Sequence, residues 1–341
     1  MGIISFVEVK KMVKIGIPRA LAYYQYYPMW KTFFTTLGAE VISTPPTTQQ
    51  MLVNGSQRVV ADTCLPAKVF LGHVIELVDK CDYIFIPVIR SVKTRVYNCA
   101  KFLGLSDMTR AVIPKCPPIL DIDFDINKGK DKIYQDIYRL GKHLTADQNK
   151  IKQAALAAWQ THLEYRKLMS SQGITPLQAL KTPQAKAVTP TIPNNLESRT
   201  SIAIIGHPYL LYDELVNHRL LHRLESSDCH IVTPEMLTAE QLESATNKLV
   251  GRAYWTWEEE VVGAGNHYIE NKLDGIIGVA AFGCGPDSLM MDMVRRQANE
   301  KDKTPFMSLT LEEHTAETGV ITRLEAFMDM IQRRKRRLVC G

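Results

Sequence analysis

Three cysteines occupy turn-like segments that carry the chemistry of metal ligands. They are Cys64 in Asp62-Thr63-Cys64-Leu65-Pro66, Cys99 in Tyr97-Asn98-Cys99-Ala100-Lys101, and Cys284 in Phe282-Gly283-Cys284-Gly285-Pro286-Asp287. The third follows a strong strand signal, Gly275 to Phe282, and precedes the amphipathic run Ser288 to Val294. Open α/β sheets hold ligands outside the carboxyl ends of their strands. A thiol at the following helix N-terminus meets a partial positive charge that favours thiolate, the form that binds iron or zinc. Three such thiolates, brought together, make an iron–sulfur site with one open position. The separations of 35 and 185 residues fit neither a ferredoxin Cys run nor a zinc finger. Spacing alone leaves unrelated free thiols as the alternative. The shared strand-end context favours an iron–sulfur or zinc site.

The other four cysteines sort by position. Cys81 and Cys229 precede strands, at the edge away from ligands, and read as small buried hydrophobes. Cys340 lies in the tail. Cys116 follows an expected strand, Arg110 to Ile113, a place that allows a fourth ligand or a neighbour of the site.

The elements needed to position these residues are α/β in pattern. In the first half, strands are expected at Val13 to Ile17, Glu40 to Ser43, Arg58 to Asp62, Tyr83 to Ile89 and Arg110 to Ile113. Helices are expected at Pro18 to Leu37, near Gln49 to Asn54, and at Pro66 to Val78, with Pro66 suited to a first turn. Lys130 to Gln172 is helical and polar, and Lys181 to Ser198 reads as a loop or linker. The alternation restarts with strands at Ser201 to Ile205, His230 to Thr233, Gly275 to Phe282 and Thr304 to Leu309. Helices follow at Asp213 to Leu224, Thr238 to Leu249, Tyr254 to Leu273 and Gly319 to Gln332. The expectation is two Rossmann-like domains with parallel sheets, at 12–130 and 199–341. A helical insert and linker at 131–198 separates them, and the site lies at the interface.

Bulk properties narrow the function class. The chain has 341 residues and 45% apolar residues, enough for two cores. No apolar run approaches the roughly 18 residues of a membrane span. The first eleven residues lack signal-peptide features, and Met12 reads as an equally good start. The net charge of +5 is matched by the five cations Arg333 to Arg337, so the body is neutral and lacks the basic face of a nucleic-acid binder. Seven cysteines without a secretory signal suggest thiols or metal ligands in a cytoplasmic protein, not a disulfide framework.

Taken together, these motifs resemble those of the acyl-CoA dehydratase activase-related proteins. The resemblance lies in Ile15 to Leu21, Cys64-Leu65-Pro66-Ala67-Lys68 through His73, Cys99 to Leu105, Phe282 to Ser288, and Glu313-His314-Thr315-Ala316-Glu317 through Phe327. It covers about residues 13 to 332. That family is related to the iron–sulfur subunits of 2-hydroxyacyl-CoA dehydratases, benzoyl-CoA reductases and double-cubane proteins. Those have two Rossmann-like domains with a cluster between them, three cysteines per cubane. The resemblance implies that Cys64, Cys99 and Cys284 hold a 4Fe-4S cluster, reduced by a separate ATP-hydrolysing activator. It also makes a homodimer plausible. A double cubane needs about six ligands, so a single cubane is expected here. No acyl-CoA signature transfers, which leaves open the small-molecule substrate and whether the chain is a catalyst or an electron carrier. Two other functions stand beside this one: a cluster carrier or maturation protein, and a structural metal-binding protein without redox activity.

Further residues have two readings each. Glu312, Glu313, His314 and Glu317 can supply a proton or a fourth ligand, or simply begin a helix. Arg19, after the first strand, can pair with an anion or with an interdomain carboxylate. His207 in Gly206-His207-Pro208-Tyr209 can line the site or act as a structural histidine. His73 reads as structural. Lys68 and Lys101 can balance cluster charge or be solvated. Gly283-Cys284-Gly285 partly fits a dinucleotide loop, but Cys284 and Pro286 oppose pyrophosphate approach. There is no Walker A sequence and no Asp-Gly-x-Thr phosphate loop, so the ATPase is expected to be another protein.

Overall fold

The computed structural model describes residues 12–182, 199–301 and 303–339. The expected N-terminal extension, most of the expected linker and Cys340 lie outside the described residues.

Two separate parallel sheets organise the chain. The first holds β1 (Lys14–Ile17), β2 (Glu40–Ser43), β3 (Tyr83–Ser91) and β4 (Ile119–Asp125) in the order β2-β1-β3-β4. The second holds β5 (Thr200–Gly206), β6 (Cys229–Val232), β7 (Gly275–Ala281) and β8 (Phe306–Leu311) in the order β6-β5-β7-β8. The two orders are the same half-sheet topology used twice. Helices α1 (Tyr23–Thr36), α2 (Gln49–Ser56), α3 (Leu65–Leu77), α4 (Ala100–Leu103) and α5 (Leu105–Val112) surround the first sheet. Next come α6 (Lys130–Gly141), α7 (Gln148–Gln172) and α8 (Pro176–Lys181), with α7 packed along α1. The second sheet is flanked by α9 (Pro208–Leu211), α10 (Leu220–Ser226), α11 (Ala239–Val250), α12 (Ala264–Glu270), α13 (Gly285–Lys301) and α14 (Glu317–Val339). The α/β class and the pair of Rossmann-like domains are as expected.

Each inner strand is buried on both faces, as parallel sheets require. Residues 202–205 of β5 and Ile276, Ile277 and Val279 of β7 have no exposure. In contrast, β4 is an edge strand that alternates apolar residues with Asp121, Asp123 and Asp125. Asp121 pairs with Arg110, and Asp123 pairs with Arg90 and Lys128. Charged side chains along an edge oppose pairing with another chain.

Two expected strands are absent. Arg110 to Ile113 falls mainly in α5, where Arg110 pairs with Asp107 one turn earlier and Leu105 and Thr109 are buried. Its β-branched run suggested a strand, but this helical face overrides propensity. The fourth strand lies later, at β4, so Cys116 precedes a strand and sits at the edge opposite the other site cysteines. Its charge acts on Cys81, the thiol that precedes β3. Arg58 to Asp62 forms turns, so Cys64 follows α2 and a loop instead of a strand. The expected helix from Asp213 begins in turns. Asp213 Oδ1 accepts from the Leu215 and Val216 amides, and regular helix starts only at Leu220.

The entry angle of α3 depends on a glycine contact with α2. A Cβ on Gly55 would lie 1.9 Å from the Lys68 carbonyl oxygen, and one on Gly72 would lie 2.1 Å from the Met51 carbonyl oxygen. The two backbones therefore touch where α3 starts. Gly55→Ala should force the helices apart and cost about 2–3 kcal/mol in urea unfolding. A loss below about 0.5 kcal/mol, within the ordinary range for surface changes, would show that the contact relaxes freely.

Candidate functional site

The cavity between the two domains is lined by Leu21, Cys64, Pro66, Ala67, Cys99, Lys101, Phe102, Leu105, Tyr209, Ala281 and Cys284. The three cysteines singled out by sequence therefore meet, two from the first domain and one from the second. The space between them is partly open to solvent. Among the described residues, no group of three or more His, Cys, Asp or Glu side chains is close enough to hold a single metal ion. The three thiols share one cavity wall.

Local structure fixes each thiol separately. Cys64 is the residue before α3, with extended backbone, and its carbonyl accepts from the Ala67 and Lys68 amides. Pro66 in the first turn has no amide hydrogen to satisfy. Cys99 precedes α4. Its amide donates to Asn98 Oδ1, and Asn98 Nδ2 donates back to the Ile89 carbonyl at 3.1 Å, tying the turn to the end of β3. The same turn is clamped to the second domain, because Tyr97 N donates to the Tyr254 carbonyl and Thr256 N donates to the Tyr97 carbonyl. Cys284 follows β7 through Gly283, whose φ of +76° favours glycine. Its carbonyl accepts from the Ser288 amide and hydroxyl.

The expected thiolate character is not what this environment produces without a metal. Burial pushes the Cys64 thiol above its ordinary pKa, more than Lys101 and the local amide offset. Cys284 is raised further, first by burial and then by the charge of Asp287. Apolar walls outweigh helix ends here, because desolvation penalises the charged form. Chemically, the site is an apolar chamber with three thiols, Lys101 on its wall and Tyr209 beside them.

Other candidates stand outside the chamber. Lys68 is 1% exposed, contrary to a solvated lysine. It donates to the Ala61 carbonyl at 2.8 Å and to Glu313 Oε1. Glu313 thereby ties the loop after β8 to the helix that begins at Cys64. Glu317 pairs instead with Arg223 on the surface. Arg19 donates its backbone amide to Thr44 Oγ1, and its guanidinium lies 5.9 Å from the Tyr23 ring centre. None of Arg19, Glu313, His314 and Glu317 lines the cavity. His73 is structural: its ring nitrogens contact Thr44 Oγ1 and Thr47 Oγ1, and burial lowers its pKa to about 4.

Sequence reasoning missed the aromatic cluster that Phe102 and Tyr209 of the lining form with Trp257. Phe102 lies 5.0 Å from Trp257 and 6.1 Å from Tyr209, ring centre to ring centre. Trp257 Nε1 donates to Gln25 Oε1 across the domains. Tyr209 had a signal, since it follows β5 at a strand's carboxyl end. Trp257 had none, as it reaches the interface only through the fold. Val60, Tyr97, Phe282 and Leu289, each within five residues of a site cysteine, are exposed apolar residues.

The Lys68–Glu313 pair gives a stability prediction. Burial alone would raise the Glu313 carboxyl, but the hydrogen bond and charge of Lys68 bring it below its ordinary value of 4.5. The contribution is complete above about pH 4.5 and is lost as pH falls through the lowered value. Glu313→Gln leaves a buried ammonium without its anion and should cost about 2–3 kcal/mol at pH 7. That difference should shrink in urea titrations at pH 3.5; an equal loss at both values would rule out the ion pair as its source.

No curated protein matches the chain. Residues 14–237, however, match the family model described as the CoA enzyme activase uncharacterised domain, so the chain, with its two Rossmann-like domains, belongs to that CoA enzyme activase family.

Proposed function

We propose that this protein carries a 4Fe-4S cluster on Cys64, Cys99 and Cys284 and accepts low-potential electrons from a separate ATP-hydrolysing activator. The carrying observation is that these three thiols, from two domains, line a single interdomain cavity. The donor set fits the group: three soft sulfur ligands lining one cavity suit an iron–sulfur cluster. When bound, the cluster supplies one-electron chemistry and one iron without a protein thiolate. The chain's own residues hold it, shield it with Leu21, Phe102, Leu105 and Tyr209, and place the Lys101 cation on the wall. Apolar walls and nearby charge are the protein's means of setting a reduction potential.

The family description ties the chain to activation of CoA enzymes. The exposed apolar residues Val60, Tyr97, Phe282 and Leu289 flank the thiol-bearing turns, where a redox partner would have to approach. The reaction served is reductive or radical chemistry of the 2-hydroxyacyl-CoA dehydratase kind.

Anaerobic reconstitution with iron and sulfide tests this reading. It should yield about four irons and four sulfides per chain and an EPR signal after dithionite. Cys284→Ala should lose them, whereas Cys116→Ala should keep them, because Cys116 sits at the opposite sheet edge. Reduction by an ATP-driven activator should then be measurable. No iron uptake, or tight zinc in its place, would overturn the proposal.

A further inference from the structure

Tyr209, His207 and Asp287 form a buried group beside the thiols that no ligand role uses. His207 is 4% exposed and Asp287 1%. His207 Nδ1 lies 2.5 Å from the Tyr209 hydroxyl oxygen and 3.1 Å from Asp287 Oδ1. The carboxylate is off the line of a ring hydrogen bond, since Oδ1 makes none, so it acts on the ring through its charge. Asp287 Oδ2 is held by the Ala281 amide at 3.4 Å.

Two arguments assign the ring proton. A lone pair on Nδ1 would face the carboxylate oxygen and be repelled, whereas an N–H there is attracted. His207 Nε2 is buried without a partner, and an orphan lone pair in the interior is tolerated better than an orphan N–H. Both place the proton on Nδ1, where it is donated to the Tyr209 oxygen. The phenol's own hydrogen must then point elsewhere in the ring plane. Tyr209 lines the cavity, and the charges that Cys284, Cys99 and Cys64 would carry all act on its hydroxyl.

We propose that Tyr209 donates a hydrogen bond to a sulfur held in this cavity, with His207 and Asp287 as the positioning residues that turn its hydroxyl inward. The inference rests on the cluster reading above. Its consequence is electronic. A donor stabilises the more negative, reduced form, so Tyr209 raises the reduction potential of what the thiols hold.

The experiment compares reconstituted wild type with Tyr209→Phe and His207→Leu by iron and sulfide content, redox titration and ENDOR of the reduced protein after exchange into deuterated water. Tyr209→Phe should keep the iron, shift the midpoint to more negative values and lose one exchangeable-proton coupling. His207→Leu should keep the iron and weaken the same coupling, an effect that a purely structural histidine would not have. A loaded Tyr209→Phe protein with unchanged midpoint and coupling overturns the tyrosine's role and leaves the cluster reading intact. Wild type that takes up no iron overturns both. Should Tyr209→Phe fail to fold, 3-fluorotyrosine at position 209, a stronger donor of nearly the same size, should move the midpoint upward. An unmoved midpoint there also overturns the proposal.

Discussion

One apolar cluster runs through both sheets, and the position of every thiol depends on it. Ile15, Phe34, Phe85 and Phe102 of the first domain belong to the same continuous core as Leu210, Leu211, Tyr212 and Trp257 of the second. Tyr24 and Tyr212 meet at 5.9 Å between ring centres, and Phe102 packs on Trp257. Hydrophobic contact is non-directional, so it alone would let the domains slide. Directional bonds between them set the register: the Trp257 indole to Gln25, the Tyr97 backbone to residues 254 and 256, Thr47 to Asp213, and Lys68 to Glu313. Buried polar groups that are fully paired act in this way, because any other register would leave them unpaired at high cost.

The electrostatics follow from the same burial. The interface accepts charge where a partner is built in, as at Lys68 with Glu313. It penalises charge where no such partner exists, which is why Cys64 and Cys284 are held as neutral thiols. A metal bound there would reverse that penalty and release the thiol protons.

Repetition of the half-sheet explains the site's composition. In each domain the crossover after an inner strand delivers a turn to the interface: Cys99 after β3 and Cys284 after β7, in sheets of matching order. Cys64 comes by a different route, from the start of α3 after a loop, and its place is set by the close glycine contact of α2 with α3. The site is therefore two equivalent strand-end turns plus one helix start, enclosed by aromatic side chains.

Sequence alone determined the alternating α/β pattern, the two sheets, and the turns that carry Cys64, Cys99 and Cys284, because apolar runs of period-two and helical spacing are local and such turns carry Gly, Pro and Asn. It misplaced the fourth strand, since the β-branched run at Arg110 to Ile113 is helical once Leu105 and Thr109 pack inward, and with it Cys116 moved to the opposite sheet edge. It offered Lys68 only as a cluster counter-charge or a solvated lysine, because its partner Glu313 lies 245 residues away. Only the tertiary structure decided that the thiols share one cavity, that Phe102 lines it with Trp257 packed behind, and that Tyr209, His207 and Asp287 adjoin it. Those relations join residues far apart in the chain, and the energy that fixes them is burial between domains, which no local pattern encodes.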